Sequence, residues 1–111
     1  MHIEYSTDRA RWDHFLSRQQ YRPFLQSSMM GEVYRSCGQE TIELIAKEQD
    51  DIIGIALAVV VPARRGRHIT IPYGPIICDT QRSNATGIAQ RLVETLRDEG
   101  KNRGCTFLRY S

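Results

Sequence analysis

The run IIGIALAVVV, Ile52–Val61, decides the fold. It is rich in β-branched residues and apolar at odd and even positions alike, the pattern of a strand covered on both faces. Its length of ten residues falls well short of the ~20 apolar residues a membrane-crossing helix needs. Within it, Gly54 marks either a bulge or a close approach of another element. Pro62, which has no N–H to donate, ends the run. Immediately upstream the period is two: Ile42, Leu44 and Ala46 alternate with Glu43, Ile45 and Lys47, a strand with one better-buried face. Gln49-Asp50-Asp51 is the polar turn between them. Downstream, the basic loop Ala63-Arg64-Arg65-Gly66-Arg67 leads into a third strand, His68–Pro72, and Tyr73-Gly74-Pro75 turns the chain away. Strand, turn, strand, loop, strand is an antiparallel meander.

Outward from the meander the period lengthens. His2–Ser6 alternates weakly as a short strand. Asp8 offers an N-cap side chain, and Trp12, Phe15 and Leu16 share one helical face, which predicts a helix over 8–19 that Pro23 keeps from continuing. A second helix starts near Gln26–Ser28, with Gln26 and Ser27 read as its cap, and runs to Gly38, suited to a left-handed stop. Met30, Val33 and Cys37 are its expected buried stripe. Past the meander, Ile88, Leu92 and Leu96, with Ala85, Ala89 and Val93 in the adjacent row, predict a long helix over 82–103 lying on a sheet, closed by Gly104. Cys105–Tyr110 then reads as a strand reached by a crossover and therefore parallel to the one before the helix.

At 111 residues the chain has room for one domain of ~100–150 residues, and 41% hydrophobic with 25% charged residues is globular composition. The net charge of +2 is too small to mark a nucleic-acid binder. Its distribution is uneven, −2 over residues 1–50 and +4 over 51–111. The cluster Arg64, Arg65, Arg67 and His68 is either a solvated turn or a contact for phosphates of tRNA or anionic lipid. Cys37, Cys78 and Cys105 are odd in number and widely spaced, which fits a reducing, cytoplasmic chain without a disulfide framework. No His, Cys or Asp grouping has ligand spacing, so no metal is expected. Cys105 is expected to pack rather than react.

The element order is the first part of the order found in the GNAT acyltransferases, whose fourth and fifth strands diverge to make a cleft. Three stretches, FLQSSMMGEVYRSCG at 24–38, HITIPYGPIICD at 68–79 and FLRYS at 107–111, resemble the amino-terminal part of the FemABX family. These are tRNA-dependent aminoacyl and peptidyl transferases that build peptidoglycan cross-bridges. The expected fold is therefore α+β, a partial GNAT-like domain with two N-terminal helices and one long crossover helix, ending at the fifth strand.

The resemblance implies a substrate-binding set. Tyr34 and Arg35 fall where the family presents a basic side chain to the phosphates of the cell-wall precursor, although Arg35 could equally solvate the outer helix face. Tyr73 and Gly74 match the turn beside the cleft, with Tyr73 able to stack on or hydrogen-bond substrate and Gly74 permitting a positive φ. Arg109 and Ser111 close the third stretch. Ser111 stands where the family's pattern carries a carboxylate, so the 111 residues are expected to be inactive alone.

The implied donor is aminoacyl-tRNA, with no other cofactor. The implied acceptor is a UDP-linked or lipid-linked muropeptide, which places the protein in the cytoplasm or at the inner membrane surface. A further implied partner is the remainder of the fold or a second copy. Two other readings stay open. One is a non-catalytic binding or assembly module. The other is an acetyltransferase fragment, which acetyl-CoA fits less well because Ala85 stands in Arg82–Gly87 where the pyrophosphate turn wants glycine.

Overall fold

The computed structural model describes residues 1–64 and 66–110, and the backbone alone of Arg82. The central strand is β3 (Asp51–Val61), buried from Ile53 to Val60. Along one edge it pairs antiparallel with β2 (Glu40–Glu48), which pairs with β1 (His2–Tyr5). Along the other edge it pairs antiparallel with β4 (His68–Ile71). Beyond β4 lies β6 (Phe107–Tyr110), parallel to it as a crossover requires. The order is β1-β2-β3-β4-β6. A two-residue strand, β5 (Ile76–Ile77), also pairs with β3 and was too short to leave a periodic signal.

Helix α3 (Ala85–Asn102) packs on one face of the sheet, where Ile88, Leu92, Val93 and Leu96 meet Ile42, Leu44, Ala46, Ala56, Ala58, Ile69 and Ile71. Helices α1 (Arg9–Ser17) and α2 (Ser28–Ser36) cover the other face, where Trp12, Phe15 and Leu16 meet Ile45, Ile55, Leu57 and Ile76. Asp8 caps α1 by accepting from Arg11 N at 3.1 Å, and Ser27 caps α2 by accepting from Met30 N at 3.3 Å. Gly38 and Gly104 carry the left-handed stops with φ of +83° and +79°. Both readings of Gly54 hold. The β2–β3 register slips by one between Ala46↔Gly54 and Lys47↔Ile52, leaving Ile53 as the extra residue. A Cβ on Gly54 would lie 3.1–3.2 Å from the methyl tips of Ile88, Ile77 and Leu92.

Four local expectations are corrected. The inner face of α2 is Met30, Gly31 and Tyr34, while Val33 and Cys37 are exposed. Helix and sheet meet at Gly31, where a Cβ would lie 2.7 Å from Glu43 Oε1, so the contact is centred on a residue that apolar periodicity does not count. The long helix begins at Ala85, because residues Asp79–Asn84 form 3₁₀ turns. His68 is no part of a solvated basic patch: it is buried and stacked on Phe107, its partner in the β4–β6 ladder, with centroids 4.6 Å apart. Arg67 of that loop pairs with Glu40 at 3.6 Å, and Arg65 lies outside the described residues. The positive φ in the Tyr73-Gly74-Pro75 turn falls on Tyr73, at +57°, and not on Gly74. No helix among the described residues is long and apolar enough to cross a membrane.

Candidate functional site

Strands β3 and β4 separate partway along their length. They pair at Val59↔Thr70, Val60↔Ile69 and Val61↔His68, and pairing resumes only at Ile55↔Ile76 and Gly54↔Ile77. Three residues of β3, Ala56 to Ala58, therefore face five on the other strand, Ile71 to Pro75. The two surplus residues are taken up in the turn Pro72-Tyr73-Gly74-Pro75, in which Pro72 stays buried and Tyr73 is exposed.

The gap is filled by a side chain from far away in sequence. Gln26, fully buried at 0% exposure, ends the 3₁₀ turn Phe24–Gln26. Its Oε1 accepts from Leu57 N at 2.9 Å, and its Nε2 donates to Leu57 O at 3.1 Å and to Pro72 O at 2.6 Å. The carboxamide thus makes with Leu57 the two-bond exchange that a neighbouring strand residue would make, and it also ties down the start of the extruded turn. Gln26 is fixed in turn by the Trp12 indole, whose Nε1 donates to Gln26 O at 2.7 Å. Gly74 is required by this plug: a Cβ there would fall 2.7–2.9 Å from the carboxamide atoms. Glycine serves here for close approach.

Tyr73, 53% exposed, projects from the extruded turn in a left-handed conformation that costs a non-glycine residue free energy. Strain of this kind persists only where the surroundings dictate it. Gln26 and Gly74 supply that constraint.

The expected site residues distribute as follows. Thr41 of β2, Val59 of β3, Thr70 of β4 and Arg109 of β6 form one in-register row across the sheet, on the face that α1 and α2 cover. Arg35 of α2 donates from Nη1 to Thr41 Oγ1 at 2.9 Å, so it stands over the other end of the row from Arg109. Three strand spacings of ~4.8 Å put the row's ends roughly 14 Å apart. The Arg35 guanidinium also pairs with Glu43, and with Glu32 at 3.3 Å, and the hydrogen bond to Glu43 is the main reason its pKa stands above the ordinary arginine value. Two of its five N–H donors, on Nε and Nη2, keep no partner among the described residues. Tyr73 follows Thr70 by three residues, in the turn just past the end of β4. Tyr34 is half-buried against the Trp12 cluster and serves packing on its inner side. Ser111 lies outside the described residues.

The family resemblance implies Arg35, Tyr73 and Arg109 as substrate-binding residues, and from sequence Gln26 reads as part of a cap and not as a site residue. The cap is Ser27, with Asp13 Oδ1 accepting from Ser28 N at 2.9 Å. The signal that could have found Gln26 is a long polar side chain between the apolar Phe24-Leu25 pair and a cap that needs no help. At the start of α3 no side chain caps the helix. The Asp79 carboxylate there is engaged by Gln20 N at 2.7 Å, and Asp79 N donates to Gln19 Oε1 at 2.8 Å. Among the described residues no cluster of His, Cys, Asp and Glu could hold a metal ion.

Comparison with known proteins bears on the same elements. A family model described as the FemAB family matches residues 7–111. No curated protein sequence matches the chain. Among solved structures, FemX superposes with a TM-score of 0.75 at 16% identity, over 95% of this chain and 25% of FemX. A ribosomal-protein-alanine N-acetyltransferase from Brucella melitensis biovar Abortus 2308 gives 0.76 at 16% identity, over 100% of this chain and 79% of that one. A transcriptional regulator from Bacillus halodurans C-125 gives 0.72 at 16% identity, over 99% and 80%. At such identities the likeness concerns the fold, an α+β, partial GNAT-like one.

Proposed function

The chain belongs to the FemAB family, the transferases of peptidoglycan bridge synthesis, and on that premise we propose that it forms the acceptor side of such an enzyme. Its substrate would be a muropeptide carrying a nucleotide or lipid diphosphate. The donor would be an aminoacyl-tRNA, whose ester to the tRNA breaks as the acceptor amine forms an amide. Orienting the amine against that ester supplies much of the rate gain in a reaction of this kind.

The observation that carries the reading is the row from Thr41 to Arg109, which sets two guanidinium groups on one sheet face. Arg35 would accept a phosphate on its open donors while Glu43 and Thr41 keep it in place. Arg109 would hold a second anionic or carbonyl group, and Tyr73 would close the groove by stacking or by its hydroxyl. Titrating the purified chain with UDP-linked muropeptide tests this. Saturable binding is expected, weakened roughly ten- to a hundredfold in Arg35→Ala and in Arg109→Ala, since a charge-assisted contact is worth ~1.5–3 kcal/mol. Binding that both variants leave unchanged contradicts it. Ser111 cannot act as a base near neutral pH without a partner. Transfer from aminoacyl-tRNA by these residues alone is therefore expected to be absent, and turnover would refute that.

A second reading, an assembly module that pairs with a copy of itself, is favoured by β6. It ends the strand order, with Phe107 and Tyr110 exposed at 45% and 59%, and such edges are usually covered. Sedimentation as a monomer at all concentrations would count against it. The acetyltransferase reading predicts a thermal shift with acetyl-CoA; none is expected.

A further inference from the structure

We propose that Gln26 is a positioning residue for Tyr73, acting through the extruded turn, so that the carboxamide in the β3–β4 gap sets how the groove presents its aromatic wall. The link to substrate rests on the acceptor-side reading above; the link from Gln26 to Tyr73 does not.

Two ladders of fixed register close on either side of the gap, so the surplus residues must leave the sheet. Where they leave is decided by which backbone groups find partners inside. Gln26 occupies Leu57's N–H and C=O and the Pro72 carbonyl, so Pro72 is held in and Tyr73 is the first residue released. Tyr73 takes its left-handed φ at that step. Gly74 then passes directly over the carboxamide, where no side chain fits. Remove the carboxamide and nothing dictates that position 73 is the one extruded.

Backbone amide spectra of the 111-residue chain test the link. In Gln26→Ala, the amide signals of Tyr73, Gly74, Ile76 and Leu57 are expected to shift and broaden, while those of the β1–β2 ladder and α3 stay. UDP-linked muropeptide, the probe used, is expected to bind about tenfold more weakly. Tyr73→Ala should weaken it as much, and the double variant little further, because both changes remove the same contact. Unchanged Tyr73 and Gly74 signals, or additive losses in the double variant, would overturn the proposal. Should Gln26→Ala not fold, Gln26→Glu keeps the acceptor for Leu57 N–H and loses the donor to both carbonyls. It is then expected to move the Tyr73 signals, and failure to do so overturns the proposal equally. A wild-type chain that binds no muropeptide contradicts the acceptor-side reading, while the spectra still decide the role of Gln26.

Discussion

The two edges of β3 are built on different terms. On the β2 side the backbone pairs continuously from Glu40↔Val60 to Glu48↔Asp51, with a single one-residue slip at Ala46/Lys47. On the β4 side the ladder opens, two surplus residues are taken up in the turn Pro72–Pro75, and a side chain from position 26 does the hydrogen bonding of the missing strand. The first edge is held by many equivalent bonds, and the loss of any one is minor. The second depends on one carboxamide. A ladder can therefore open at the centre of a sheet without leaving the Leu57 N–H and C=O unpaired, provided a distant glutamine stands in for backbone.

The contrast is most exposed to Gln26→Leu, which would strand one donor and two acceptors at ~1–3 kcal/mol each. A loss of about 3 kcal/mol or more in denaturant unfolding is expected, and a loss under ~1 kcal/mol would show the plug to be dispensable. Gly74→Ala should come next, at about 1–3 kcal/mol, because the carboxamide it strikes is locked by three bonds. In a Gln26→Ala background that cost should largely vanish. Gly54→Ala, on β3 where the ladder to β5 resumes, is the control. Its Cβ meets only methyl tips, which can turn aside, so it should cost less than Gly74→Ala.

The smallest effect belongs to the closed side. Glu99 of α3 is held below the ordinary carboxylate range by a hydrogen bond from Tyr5 of β1 and then by Arg103, whose Nη1 lies 2.6 Å from Glu99 Oε2. A depressed folded-state pKa adds stability that is present in full above the ordinary value near 4.5 and is lost as pH falls through the lower folded value. The pair is partly exposed, so under ~1 kcal/mol is at stake. Stability against pH should be flatter below about pH 4.5 in Glu99→Gln, and an unchanged acid slope would remove Glu99 from the account.

These differences also explain what could be read in the sequence. Periodicity reports backbone pairing and burial, so the meander, α1, α3 and the final strand were legible from apolar spacing and element order, whereas Arg35 and Arg109 entered only through the family resemblance. What periodicity cannot report is a contact made by a residue with no apolar surface. Gly31 against Glu43 shifted the inner face of α2 away from Val33 and Cys37, and the Gln26 carboxamide reassigned the purpose of Gly74 from turn conformation to clearance. His68, polar in a basic loop, was drawn inside by its ladder partner Phe107. Each is a pairing between distant positions, invisible to a window that slides along the chain.

The central claim, that a side-chain amide replaces backbone pairing in the open ladder, is tested most directly by through-bond coupling across the hydrogen bond itself. The spectrum should correlate the Leu57 amide nitrogen with the Gln26 side-chain carbonyl carbon. A correlation from Leu57 to a backbone carbonyl of residues 72–75, or a Leu57 amide that exchanges with solvent as fast as an exposed loop, would contradict it.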